Sequence, residues 1–419
     1  AIFWFLAAQD AARTTVRCAT LRLRENAMRR LSQIICVVLV NLVSIGCQAD
    51  REDAAAVQAL EEEAVPSERL AELAAAGLGT YSREDALAET FSIERAMSFM
   101  DGVAINWGNR YGCVTCHTNG FYLTSPAAFF KDRPDYQKAQ EQARAFARSW
   151  PSMADAHADD TYLEDTYVVA TAAFLSISEL QANGELSDVA IEILDRAWKL
   201  QEPEGHWANW IVCNWPPFES DYHFGVTLMA IVGGMAPESY MQTEAAREGM
   251  VRLRSYLAEN EPEHVHNRGM MLWAARHVEG LVTVEERQSW VQELRSLQRD
   301  DGGWASGTLG GWRQRDGEET DPWVHVESDG YGTGFVTFIL MQAGVPASDP
   351  AIQDGIKWLR ANQRARGYWW TQSLRNDPDT ANFLTHAGTT FALKALAAAD
   401  VTRGCPNPAR IPFPWRTAS

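Results

Sequence analysis

Gln298-Arg299-Asp300-Asp301-Gly302-Gly303-Trp304 places glutamine first, glycine fifth and tryptophan last in a seven-residue frame. The same frame, QxxxGxW, occurs at Gln201-Glu202-Pro203-Glu204-Gly205-His206-Trp207 and at Gln363-Arg364-Ala365-Arg366-Gly367-Tyr368-Trp369. Three copies at one spacing mark an internal repeat. Each copy follows a segment with a helical apolar stripe; before the third, Ile352, Ile356 and Leu359 recur at three- and four-residue intervals. After Trp207 and Trp369 a glycine-containing segment runs straight into a more uniformly apolar helix, DYHFGVTLMAIVGG and THAGTTFALKALAAA. After Trp304 the corresponding helix, DGYGTGFVTFILMQAG, comes only after a long polar loop. An amphipathic helix keeps one face in water, whereas its apolar partner must be enclosed. Stacked hairpins of this kind bury a continuous core that one hairpin cannot build alone.

These repeats resemble the QW motifs of squalene–hopene cyclases and their relatives, whose fold is an α/α toroid. The resemblance covers residues 91–402 and implies a single all-α domain of helical hairpins. In that family the glutamine and tryptophan tie the C-terminal end of an outer helix to its neighbour. Gln201, Gly205, Trp207, Gln298, Gly302, Trp304, Gln363, Gly367 and Trp369 are then structural. The segment TEAAREGMVRLRSYLAENEPEHVHNRGMMLWAARHV keeps a helix pair without the glutamine and tryptophan. Another degenerate copy is Cys116-His117-Thr118-Asn119-Gly120-Phe121-Tyr122, with Cys116 at the glutamine position and Tyr122 at the tryptophan position. The expectation is five hairpins.

That last copy overlaps a second motif, GCVTCHTNG at 112–120. Two thiols three residues apart, followed at once by histidine, are the spacing that attaches haem c covalently. Cys113 and Cys116 would bond the vinyl groups and His117 would be the proximal iron ligand. A bare CxxC also serves as a disulfide or as half a zinc site, but no second CxxC completes a four-cysteine cluster here. Candidates for the sixth iron ligand are Met153 and His157, in the insertion WPSMADAHADD, and His223, His266 and His386, near the starts of inner helices.

The family resemblance implies two further chemistries. Squalene–hopene cyclases carry an Asp-x-Asp-Asp-Thr motif at the start of an inner helix, where the middle aspartate protonates an alkene. The matching positions here are Tyr162, Leu163, Glu164 and Asp165, so the first aspartate is lost and Glu164 replaces the acid. Protonating an alkene needs a carboxyl with hydrogen-bonded acidic partners, and Tyr162 supplies none. Acidic residues also suit a helix N-terminus for its dipole alone. The single-toroid protein prenyltransferases hold zinc with Asp, Cys and His, for which only Cys213 and Cys405 remain. Two leftover thiols in an oxidising compartment also form a candidate disulfide, Cys213–Cys405.

Haem c is attached outside the cytoplasm, and the N-terminal region reads as an export signal. From Met28 the chain runs MRRLSQIICVVLVNLVSIGCQAD, with Arg29 and Arg30 ahead of the apolar run Ile34–Ile45. That run is shorter than the ~20 residues that span a bilayer and has the anatomy of a signal peptide. Cys47 after Ser44-Ile45-Gly46 resembles the lipid-attachment cysteine of bacterial lipoproteins. The expected organisation is a misassigned upstream start at 1–27, a signal at 28–47, an acidic tether at 48–90, the toroid at 91–402 with the haem c motif at 113–117, and a C-terminal tail at 403–419.

Residues 1–47 hold six of the 37 basic and two of the 55 acidic residues, so the chain beyond them has 31 basic and 53 acidic groups, net −22. Such a charge repels nucleic acid. The expected partners are a small apolar molecule or a redox partner protein, with membrane contact through a lipid anchor only. The expected location is periplasmic or cell-envelope. Three functions remain open at this point: a redox component or oxidoreductase, a terpenoid cyclase or isomerase, and a non-catalytic haem-bearing binding module.

Overall fold

The computed structural model describes residues 81–156, 161–211, 215–312, 326–374 and 383–404, and side chains within them except at 151–156, 161–165 and 401–404. The segments read as upstream start, signal peptide and lipid-attachment cysteine lie outside these residues. So do most of the C-terminal tail and the cysteines 213 and 405.

Helices begin where capping residues permit. Ser92 accepts the Arg95 amide and opens α1 (Ile93–Tyr111). Ser187 opens α6 (Asp188–Lys199) in the same way, and Thr283 with Glu286 forms a capping box for α11 (Val284–Ser296). Asp349 caps α13 (Pro350–Asn362), whose first residue is proline. These side chains satisfy amides that lack an intrahelical acceptor.

Burial separates two helix types, as the repeat pattern requires. In α6 only a stripe is buried, formed by Ala190, Ile193, Leu194, Ala197 and Trp198. In α7 (His223–Met235) residues 223–233 are buried all round, as are residues 330–340 of α12 (Gly330–Gln342). The remaining inner helices are α2 (Asn119–Leu123), α5 (Thr161–Asn183), α10 (Val265–Ala275) and α14 (Leu384–Gly404); the remaining outer ones are α4 (Pro134–Ala156) and α9 (Glu244–Glu259). Two single-turn helices, α3 (Ala127–Phe130) and α8 (Glu238–Met241), lie in connections.

The inner helices touch in the order α2, α5, α7, α10, α12, α14, and α14 touches α2 again. The fold is therefore an all-α, α/α toroid with a closed inner ring. Among the described residues it has six outer–inner pairs, not five. The extra pair arises because the chain between the haem motif and α5 holds a full outer helix, α4. Its buried apolar side chains Tyr136, Ala139, Ala143, Phe146, Ala147 and Trp150 follow helical spacing but are half alanine, a weak apolar signal. The Tyr136 hydroxyl bonds the Leu123 carbonyl at 2.6 Å and Ser178 at 2.8 Å, which ties α4 to both α2 and α5.

The three QxxxGxW loops share one geometry. Each indole Nε1 donates to a carbonyl ten residues earlier, in the last turns of the preceding outer helix: Trp207 to Ala197 at 2.8 Å, Trp304 to Leu294 at 2.7 Å and Trp369 to Leu359 at 2.6 Å. All three indoles are buried. Each glutamine Nε2 bonds the carbonyl of its own loop glycine and one from the next outer helix: Gly249 for Gln201, Ala351 for Gln298 and Ser92 for Gln363. The loop glycine is required twice over. Gly367 has φ +105°, and a Cβ there would sit 2.4 Å from the Arg95 carbonyl oxygen.

The haem-motif loop keeps the buried aromatic residue but not this geometry. Tyr122 donates to Asp101 at 2.5 Å rather than to a helix-end carbonyl, and Cys116 is too short to make the glutamine's paired bonds. Residues 112–123 instead fold into a turn and the five-residue α2.

The end of the segment expected to be a tether also belongs to the toroid. Ala88 donates to the Gln363 carbonyl at 2.8 Å, Ala365 donates to the Ala86 carbonyl at 2.7 Å, and Leu87 pairs with Arg364 in an antiparallel bridge. Tyr81 is buried, and Tyr368 bonds the Asp85 carboxylate. Residues 81–91 form a strap over the last repeat loop. Inside the inner ring, Phe391 of α14 packs at 5.2–6.2 Å from the rings of Phe121, Trp273, Tyr331, Phe335 and Phe338.

Candidate functional site

The loop between α1 and α2 is built by its side chains. α1 stops at Gly112, which is left-handed at φ 64° and returns its amide to the Gly108 carbonyl. Asn119 then fastens the turn: its Oδ1 accepts from the amide and hydroxyl of Thr115 at 3.0 and 3.2 Å, and its Nδ2 donates to the Cys113 carbonyl at 2.7 Å. Gly120 lets the chain fold back on itself, since a Cβ would lie 2.2 Å from the Thr115 carbonyl oxygen. The result puts Cys113, Cys116 and His117 on one short turn, all three buried.

His117 is enclosed by rings from three parts of the chain. Phe383, just before α14, stacks on it at 4.6 Å; Trp107 of α1 meets it edge-on at 5.0 Å; Trp215 lies 5.3 Å away. Burial pushes its pKa down to about 3, which keeps the imidazole neutral. The Nδ1 atom is 2.8 Å from the Thr118 hydroxyl, that hydroxyl is 2.9 Å from Nδ1 of His386, and Nε2 of His386 is 2.7 Å from the Tyr81 hydroxyl. The Cys116 thiol donates to the buried Glu219 carboxylate at 3.4 Å. Burial and that carboxylate together raise its pKa well above the usual thiol value.

The sixth-ligand candidates separate clearly. His386 uses both ring nitrogens in hydrogen bonds. His266 bonds the Tyr331 hydroxyl through Nε2 at 2.8 Å and is fully buried. His223 is 4 % exposed, and neither of its ring nitrogens has a hydrogen-bond partner among the described residues. Buried polar atoms in that condition are uncommon and call for an explanation. His223 also closes the segment 215–223, which covers the motif: Trp215 lies against His117, Phe218 is 4.9 Å from Phe121, and Glu219 meets Cys116. The side chain of Met153 and all of His157 lie outside the described residues.

Glu164 and Asp165 fall in the first turn of the inner helix α5, where the resemblance placed them, but their side chains are not among those described. Among the described residues no group of three or more His, Cys, Asp or Glu is arranged to hold a metal ion. No described helix is long and apolar enough to cross a membrane. A polar cleft of about 690 Å³ lies between the two last QxxxGxW loops, lined by Arg83, Gln298, Asp301, Glu327, Trp358 and Trp370. It does not include the haem motif.

Sequence reasoning missed Thr118, Asn119, Glu219, Tyr81 and the three rings around His117. Only Asn119 left a local trace, because an asparagine beside a glycine is a turn signal. Thr118 adjoins His117 and Trp107 lies in the helix before the motif, but neither carries a local signal of its role; Glu219, Tyr81, Trp215 and Phe383 meet the motif from distant parts of the chain.

No protein-family description matches the sequence, and no curated protein is similar to it. Eleven solved chains match in structure. Among them is a polysaccharide lyase with a TM-score of 0.46 and 12% sequence identity, covering 74% of this chain and 97% of that chain. Similarity of that degree carries nothing about activity.

Proposed function

We propose that this chain is an exported haem c protein with a redox role, carrying its haem at the rim of a squalene-cyclase-like toroid. The observation behind the reading is the 2.8 Å hydrogen bond between His117 Nδ1 and the Thr118 hydroxyl, beside two thiols on one buried turn. An imidazole that binds iron through Nε2 holds its proton on Nδ1 and directs it to a fixed acceptor. The donor set therefore suits haem c, with Cys113 and Cys116 as attachment points and His117 as proximal ligand. A thioether has no proton to lose, so the raised thiol pKa bears only on the unbonded form, and bonding gives up the Cys116 donation to Glu219.

When bound, haem supplies a reversible one-electron couple. The chain's own residues do the rest. Trp107, Trp215 and Phe383 keep water from the imidazole and hold its plane, and Thr118 holds its proton. His223, whose ring nitrogens lack partners among the described residues, is the proposed sixth ligand. Attachment outside the cytoplasm agrees with an export signal at 28–47 and a lipid anchor at Cys47, which would make the strap 81–91 the end of a membrane tether.

The chain keeps the complete haem motif at 113–117 but only part of the cyclase motif, with Tyr162 in place of its first aspartate, which favours the redox role over a terpenoid cyclase. The test uses one protein in two forms. The haem-loaded chain should take up and release one electron reversibly, and Glu164→Gln should leave its midpoint potential unchanged. Conversion of squalene or a similar polyene by the haem-free Cys113→Ala/Cys116→Ala protein would reverse the assignment.

A further inference from the structure

We infer that Thr118, His386 and Tyr81 form a directed hydrogen-bond relay that sets how strongly His117 donates to iron, and that the strap thereby tunes the haem potential. The inference rests on the haem reading above. Its basis is a chain of three hydrogen bonds, 2.8, 2.9 and 2.7 Å long, linking four buried side chains from three separate parts of the sequence.

Proton counting fixes the direction of the relay. With Nε2 of His117 given to iron, Nδ1 must carry the proton and donate to Thr118 Oγ1. A threonine hydroxyl has one proton, so Thr118 then donates to Nδ1 of His386, which must be the bare nitrogen of a neutral ring. The proton of His386 is consequently on Nε2 and points to the Tyr81 oxygen. Each of the three hydrogen bonds then has one donor and one acceptor. Hydrogen bonds in series polarise one another, so a Thr118 hydroxyl that donates to His386 is a better acceptor for His117. A better acceptor makes the His117 ring more electron-rich, which favours ferric over ferrous iron and lowers the potential.

Tyr81 sits at the far end of the relay, on the strap that backbone bonds hold to the last repeat loop. His386 and Thr118 are positioning residues, since they act on iron only through His117. Their effect should fade with distance along the relay.

The experiment is a spectroelectrochemical titration of the full-length, haem-loaded protein and of Thr118→Val, Thr118→Ser, His386→Leu and Tyr81→Phe. The midpoint potential should rise most in Thr118→Val, less in His386→Leu and least in Tyr81→Phe, whereas Thr118→Ser, which keeps the hydroxyl, should match the parent. Potentials equal to the parent's in all four variants, with melting temperatures lowered, would show a structural network and overturn the relay while leaving the haem reading intact. A parent protein without covalent haem overturns both.

Discussion

Gln363 and Ser92 exchange hydrogen bonds across 271 residues: the Ser92 amide donates to Gln363 Oε1 at 2.8 Å, and Gln363 Nε2 donates to the Ser92 carbonyl at 2.8 Å. One amide side chain thereby joins the last repeat loop to the cap of the first outer helix. The other two motif glutamines make the same kind of link between neighbours in sequence. Of the three motif glutamines, Gln363 is the one that links the two ends of the ring.

Gln363→Leu should therefore lower stability by about 2–4 kcal/mol, because it leaves buried backbone groups without partners. The strap 81–91 should become cleavable by protease at concentrations that spare the parent. Gln298→Leu, which loses equivalent bonds within the ring, should destabilise without exposing the strap. Limited proteolysis with N-terminal sequencing of the fragments distinguishes the two, and an uncleaved strap in Gln363→Leu would count against closure through this residue.

Truncating Trp207, Trp304 or Trp369 to alanine should cost about 3–5 kcal/mol each, from lost packing and the cavity left behind. Because the three indoles share one geometry, the three costs should agree within about 1 kcal/mol in denaturant melts, given the usual spread of such measurements. A negligible cost at any of them would mean that its loop is not part of the repeat.

The repeat was legible because each glutamine and each tryptophan performs one task at a fixed offset, so the task survives as a spacing. The haem-motif loop was legible as chemistry but not as structure. Its glycine and tyrosine suggested a QxxxGxW register, yet Tyr122 turns to Asp101, and the glutamine's bonds have no counterpart at Cys116. The outer helix α4 was overlooked because alanine contributes little to an apolar pattern while still packing closely. Nothing local could have announced the relay at His117, since His386 lies 268 residues from Thr118 and 305 from Tyr81. Contacts of that range exist only after the ring has closed.

Lys394 gives the fold a pH signature. It is buried in α14 with its ammonium 4.6 Å from the Trp273 ring, and among the described residues no carboxylate pairs with it. Burial pushes its pKa down from 10.5 to about 7. Between about pH 7 and 10.5 the unfolded chain therefore holds one proton more than the folded chain, so this residue makes stability rise with pH by up to ~1.4 kcal/mol per unit. Below about pH 7 the penalty is present in full. Lys394→Met should raise the melting temperature at pH 6–7, with the gain over the parent shrinking as the pH approaches 10; a constant difference would contradict the assigned cause.

His223 can be examined without haem. In the Cys113→Ala/Cys116→Ala background, His223→Leu should stabilise by about 1–2 kcal/mol, because it removes two buried nitrogens that lack partners among the described residues. In the haem-loaded protein the same change should convert a six-coordinate reduced spectrum to a five-coordinate one. Destabilisation in the first case, or a six-coordinate spectrum in the second, would move the sixth ligand away from this residue.

Haem on the turn between α1 and α2 is the core of the proposed function. Its most direct test is a tryptic digest of the protein exported by cells competent in haem c maturation, separated under denaturing conditions. Cleavage after Arg110 and Lys131 releases residues 111–131, which contain both motif cysteines and His117. That peptide should absorb in the haem region and have the mass of the peptide plus one haem, and no other peptide should do so. A 111–131 peptide of unmodified mass, with both thiols open to alkylation, would contradict the account.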